Sequence, residues 1–215
     1  MIEDTPAHAK VASRRTIYEG AAFTFCTDDV VFDDSDHPVA RDYIAHPGAV
    51  AIVAVREGDA GPEICVVNQY RHPVGMRLWE VPAGLTDAAG ESLLDAAQRE
   101  LAEEAGLGAR SWATLADFYT SPGGSTEGLR IFLARDLYPR EAEGFVREAE
   151  EAEMECRFVP LDELLAGIVS GHLHNPSLLV GVLALAHARS GGLESLRPAD
   201  APWEGTCAHG PRAGV

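Results

Sequence analysis

The chain has 215 residues, 46% hydrophobic and 24% charged, which is enough for one domain with a sizeable core and ordinary for a soluble globular protein. Its 34 acidic against 17 basic side chains give a net charge of −17, which argues against nucleic acid as a partner, because phosphate backbones need basic surface. No apolar run is long enough to span a membrane, the start MIEDTPAHAK lacks the pattern of a signal peptide, and Cys26, Cys65, Cys156 and Cys207 are scattered, so ordinary thiols in a reducing cytoplasm are expected.

Residues 1–13 are polar and mixed, and are expected to be a flexible terminus. From Thr16 onward, Ile17, Phe23, Phe25, Val30, Val31 and Phe32 fall in short β-prone stretches, and Val39 to Ala45 forms another. Residues 14–45 are therefore predicted to be a small antiparallel sheet ahead of the main domain. His46-Pro47-Gly48 is a break. Ala49 to Val55 is a continuous apolar run, predicted to be a buried strand, and further strands are predicted over Glu63 to Tyr70 and Arg77 to Val81. A helix follows from about Glu91 to Gly106. Strands over Ser111 to Tyr119 and Leu129 to Ala134 flank the Gly- and Ser-rich loop Thr120 to Gly128. Arg135 to Glu153 is a long polar segment, and Met154 to Val159 is the last strand. One helix opens at Pro160-Leu161-Asp162 and runs through Val169. A second covers Ser177 to Arg189, with Asn175 as cap and Pro176 at its first position. Residues 191–215 lack periodicity and are read as a loosely ordered tail. This order fits an α/β/α sandwich around a mixed sheet.

The most informative stretch is Gly84 to Leu107, GLTDAAGESLLDAAQRELAEEAGL. Leu93, Leu94, Ala97, Leu101 and Ala105 give its helix an apolar face, and Gly106 suits a left-handed cap. Glu100 and Glu104 lie one turn apart on the polar face, beside Glu103. Like charges at that spacing repel, and Arg99, which can reach Glu103 and Glu91, cannot neutralise three carboxylates. A divalent cation such as Mg²⁺ or Mn²⁺ could, while the plainer alternative is a solvated acidic face.

The string Arg99-Glu100-Leu101-Ala102-Glu103-Glu104-Ala105-Gly106-Leu107, with Glu91 eight residues before Arg99, resembles the Nudix box. Six residues instead of five separate Gly84 from Glu91, which reads as a one-residue insertion in the loop before the helix. The resemblance covers about residues 46–190. It implies a Nudix-type fold and hydrolysis of a nucleoside diphosphate linked to another group. It also implies Glu100 and Glu104 as ligands of Mg²⁺ (or Mn²⁺), Glu103 near a second metal, the Ala83 carbonyl as a further ligand, and an ion pair between Glu91 and Arg99 that holds the loop to the helix.

Flanking residues narrow the substrate. Gln69-Tyr70-Arg71, Leu78-Trp79-Glu80-Val81-Pro82-Ala83-Gly84 and Thr120-Ser121-Pro122-Gly123 resemble ADP-ribose pyrophosphatases, and the loop insertion resembles actinobacterial members. The resemblance implies cleavage of ADP-ribose to AMP and ribose 5-phosphate by a cytoplasmic homodimer paired through the N-terminal sheet. Arg71 becomes the candidate for the substrate phosphates or, alternatively, a surface ion pair. Trp79 is either an adenine contact or core, Glu80 a possible adenine or metal-shell contact, and Pro122 a loop-shaping residue. The resemblance also implies a general base from the loop before the last strand, where Glu150 and Glu151 are equal candidates. His172 and His174 are read as loop residues. The rival readings are an enzyme for another nucleoside diphosphate sugar, a Nudix-fold sensor that binds ADP-ribose without cleaving it, and a plain acidic cation-binding protein. Arg99, Glu100, Glu103 and Glu104 are all present and no basic helix-turn-helix is visible, which disfavours the sensor.

Overall fold

A computed structural model of the chain describes residues 2–20, 23–32, 37–142 and 154–203. Glu150 and Glu151 lie outside the described residues. The described residues build two sheets. The first has three antiparallel strands in the order β1 (Lys10–Glu19), β2 (Thr24–Val31) and β3 (Val39–Ala45). Its first strand begins at Lys10, earlier than the sequence pattern suggests, because Lys10 and Val11 find ladder partners in Val31 and Val30.

The second sheet contains β4 (Ala49–Gly58), β5 (Gly61–Arg71), β6 (Met76–Glu80), β7 (Ala83–Leu85), β8 (Leu107–Tyr119), β9 (Gly128–Pro139), β10 (Glu155–Pro160) and β11 (Arg197–Pro198). Its main path is β10-β5-β4-β9-β8-β11, with β6 on β5 and β7 on β4. β4 and β9 run parallel and their other pairings are antiparallel, so the sheet is mixed.

β4 shows why its sequence is continuously apolar. Val50, Ile52 and Ala54 face α1 (Leu93–Ala105), together with Ala96, Ala97 and Leu101 of that helix. Ala51, Val53 and Val55 face the opposite layer, where α2 (Leu161–Val169) and α3 (Pro176–Gly191) supply Leu164, Leu178, Val182 and Leu185. Both faces of the strand are covered, so neither alternates with polar residues. The result is the expected α/β/α sandwich. No helix among the described residues is long and apolar enough to cross a membrane.

Residues 192–203, the described part of the segment after α3, depart from the expected loose tail, and the rest of that tail, 204–215, lies outside the described residues. β11 pairs with β8, Thr114 donates to the Pro198 carbonyl at 2.8 Å, and Arg130 donates to the Ala201 carbonyl at 2.6 Å. Ala201 is buried. The partners are single groups on distant strands, so no local periodicity announces them.

Candidate active site

The helix that carries the acidic string is fixed at both ends. The Ser92 hydroxyl accepts from the Asp95 amide at 3.1 Å, and Gly106 adopts φ 65° with its N–H turned back to the Ala102 carbonyl. Glu100 and Glu104 are buried. The Ala83 amide donates to Glu104 at 2.9 Å, so β7 and α1 are joined at the middle of the site. Arg99 donates twice to Glu91, at 3.0 Å each, as well as to Glu100, and to Glu103 at 3.2 Å. Gly84 packs directly on the Glu100 carboxylate: a Cβ there would overlap it.

The carboxylates are hard oxygen donors in excess of the one cation among them, and the Gly84 cradle leaves room for Glu100 alone. That donor set fits a hard divalent cation. In this conformation the carboxylates turn toward Arg99 and the Ala83 amide, and among the described residues no three acidic, His or Cys groups converge as a metal cluster.

Ala83, Glu100 and Glu104 open onto a cleft of about 580 Å³ that Arg71 and Glu80 also line. Arg71 grips Glu80 bidentately, at 2.9 and 2.8 Å. Glu80 is 2% exposed, whereas the Arg71 side chain is 42% exposed, so the buried carboxylate anchors a guanidinium that reaches the cleft.

Two substrate-binding candidates stand elsewhere. Trp79 is next to Glu80 on β6, and alternation sends it to the other face. There it is partly buried against the α2–α3 layer, with the Arg157 guanidinium 4.1 Å from its ring centre, and it does not line the cleft. Pro122 lies exposed in the 120–128 loop, outside the cleft wall. A separate groove of about 470 Å³, at the far end of β4, holds none of the box carboxylates.

Sequence reasoning missed Phe23, His46, Gln69, Glu127 and Asn175 in the cleft wall. Phe23 brings in the N-terminal sheet, stacking on His46 with ring centres 5.1 Å apart. His46 Nδ1 accepts from the Gly48 amide at 3.0 Å, and Nε2 lies 3.7 Å from Glu127. Burial lowers the His46 pKa below 6.5, against a smaller upward pull from Glu127. The N-terminal sheet is tied to the 120–128 loop by the Ile44 amide on the Gly124 carbonyl, at 2.9 Å, and the Thr126 amide on the Ile44 carbonyl, at 3.0 Å. Asn175 caps α3 through the Leu178 amide at 2.9 Å. Of these, Gln69 stands out in the sequence only as part of its motif and Asn175 only as a cap.

Residues 45–175 match the family described as NUDIX domain. The chain belongs to the Nudix family. It is 41% identical over 191 residues to the ADP-ribose pyrophosphatase of Mycobacterium tuberculosis, covering 89% of each chain. It is 34% identical over 167 residues to the ADP-ribose pyrophosphatase of Bacillus subtilis, covering 77% of this chain and 86% of that one. Its fold matches a crystal structure of an ADP compounds hydrolase with a TM-score of 0.69 at 22% identity, covering 88% of this chain and 99% of that one.

In this Nudix hydrolase six residues separate Gly84 from Glu91, and a turn lies among them: the Glu91 amide reaches the Ala88 carbonyl at 3.2 Å, and Gly90 takes φ 82°. Glu91 follows that turn and meets Arg99.

Proposed function

We propose that this Nudix hydrolase cleaves the diphosphate of ADP-ribose with water, giving AMP and ribose 5-phosphate. The observation that carries this reading is the meeting, in one cleft, of the surplus carboxylates of α1 with the Arg71–Glu80 pair. Two relatives named for ADP-ribose cleavage, aligned over most of the chain, support the choice of substrate.

Glu100 and Glu104 would hold a divalent cation, Mg²⁺ or Mn²⁺, with the Ala83 carbonyl, and Glu103 lies close enough on the same helix face to serve a second. When bound, such an ion offsets the charge of the phosphate oxygens and acidifies a water. Arg71 binds the substrate phosphates, and its two bonds to Glu80 hold the planar fork in one orientation. Arg99 and Glu91 set the angle between the loop and the helix. Glu150 or Glu151 removes the proton from the attacking water.

The protein acts as a cytoplasmic homodimer through the N-terminal sheet. β1 is exposed along its whole length, and Val11, Ile17, Tyr18, Phe25 and Val39 leave large apolar surface on that sheet for a second copy to cover. Light scattering should give twice the chain mass, and Ile17→Glu with Tyr18→Glu should give a monomer.

The decisive assay measures release of the nucleotide product, AMP from the adenosine compounds and GMP from GDP-mannose, over a panel of ADP-ribose, ADP-glucose, GDP-mannose, NADH and diadenosine polyphosphates, each with Mg²⁺ and with EDTA. Metal-dependent turnover strongest on ADP-ribose supports the proposal. Preference for another diphosphate replaces the substrate and keeps the site. Tight binding of ADP-ribose without turnover makes the protein a sensor.

A further inference from the structure

Cys65 and Cys156 are 91 residues apart in sequence, yet their Sγ atoms stand 3.4 Å apart. The β5–β10 ladder explains the meeting. Cys156 lies opposite Val67 and Phe158 opposite Cys65, so alternation puts both thiols on one face as diagonal neighbours. Cys65 is fully buried beneath α1 with Ala97 and Leu101, and Cys156 is exposed on an edge strand. Neither belongs to the cleft wall or to the box.

We propose that Cys65 and Cys156 are a redox-active dithiol that a hydroperoxide closes to a disulfide, and that closure lowers turnover. Exposure makes Cys156 the first to react. The Arg56 guanidinium, 3.8 Å from the Phe158 ring centre, puts positive charge near the pair, and at Cys65 the opposing charge of Glu104 outweighs it. The hydrogen bond to Cys156 and burial push the Cys65 thiol up, which leaves it the second partner. The Cys156 sulfur attacks the O–O bond of the hydroperoxide, forming a sulfenic acid and releasing the alcohol. The Cys65 sulfur then attacks that sulfur, the S–O bond breaks, and water leaves with the second thiol proton. Two thiols and one hydroperoxide thus give one disulfide, one alcohol and one water.

Closure moves the backbone. A disulfide holds its sulfurs about 2.0 Å apart and its Cα atoms within about 6.8 Å, whereas diagonal strand neighbours ordinarily stand about 7–8 Å apart. β10 is the edge strand and is drawn toward β5. Across β5, Val67 also pairs with Glu80, so Cys156 lies two strand spacings, about 10 Å, from the carboxylate that holds Arg71. The effect on turnover rests on the proposed hydrolase reading, whereas the thiol chemistry stands apart from it.

The test uses the full chain, first reduced, then exposed to hydrogen peroxide, alkylated and digested with trypsin without reduction. The expected product is a cross-link between the tryptic peptides 57–71 and 148–157. Turnover should fall several-fold and return with dithiothreitol, while Cys156→Ser, a change at an exposed site, should stay active and ignore peroxide. Over-oxidised Cys156 with Cys65 still alkylated, and no cross-link, overturns the dithiol. A cross-link with unchanged turnover overturns the regulatory half. Should the chain turn over none of the diphosphates, the cross-link still decides the dithiol.

Discussion

Two arginine clusters in this molecule use the same side chains for opposite ends. On α1, Arg99 faces Glu91, Glu100 and Glu103, one guanidinium against three carboxylates, with its side chain 33% exposed. On β9, Arg130 is 3% exposed and meets Asp117 from the opposite position of the β8–β9 ladder, at 2.7 and 3.0 Å. Asp117 also takes Arg197 at 2.7 Å, and Arg130 reaches the Ala201 carbonyl and the face of Trp203. There two cations answer one carboxylate, and a further Arg130 N–H is taken by the Ala201 carbonyl. The second cluster is complete without any ligand. The first leaves negative charge on a rigid helix beside a cleft, which costs stability unless a cation compensates it. Surplus charge, not the presence of ion pairs, separates the candidate site from the scaffold.

That contrast breaks if removing surplus charge is harmless. Glu104→Gln keeps the shape and the bond from the Ala83 amide while removing a ligand charge. Turnover should fall on the order of 10³-fold, the upper range for loss of one electrostatic contact at a reacting centre. Thermal stability without metal should hold or rise. A variant with near-normal metal-dependent kcat would remove Glu104 from the site. Arg130→Met should do the reverse. Breaking a buried pair costs about 3–5 kcal/mol, and Arg197 keeps this loss at the lower end. Urea unfolding should show the loss, with kcat of the folded fraction retained.

Gly84→Ala sharpens the same line. Its Cβ would displace the Glu100 carboxylate, and a misplacement of about 1 Å can cost on the order of 10²-fold in rate. Metal affinity measured by calorimetry should weaken alongside, with little change in the unfolding midpoint. Arg71→Lys keeps charge near Glu80 but loses the fork, so KM should rise about tenfold, the worth of one charge-assisted hydrogen bond, with kcat nearly unchanged.

The box, the helix under it and the core strands were legible because each signal is local. Ala49 to Val55 reads as buried from composition alone, and Asn175-Pro176 announces α3 through cap chemistry. What stayed hidden was set by distant partners. Residues 191–203 look shapeless, yet Thr114 and Arg130 hold them. His46-Pro47-Gly48 reads only as a break, but Thr126 binds His46 across 80 residues and brings it into the cleft. Strand parity alone tells that Trp79 and Glu80 face opposite ways on β6. The cysteine pair depends on ladder register, which no spacing between 65 and 156 reveals.

His46 lies between the two extremes of the comparison, because its charge depends on pH. Burial holds its folded pKa below the ordinary 6.5, with Glu127 pulling the other way. The unfolded chain therefore binds this proton first as pH falls. Stability from neutral His46 is fully present above about 6.5 and is lost as pH falls through that value toward the lowered folded one. Between pH 7.5 and 5.5, above the range where most carboxylates titrate, urea unfolding of the wild type should show stability declining with acid, and His46→Gln should flatten the slope. Equal slopes in the two proteins would mean that the Glu127 attraction cancels burial. His46 would then charge at no cost, and the cleft wall would carry an added cation opposite the surplus carboxylates of α1.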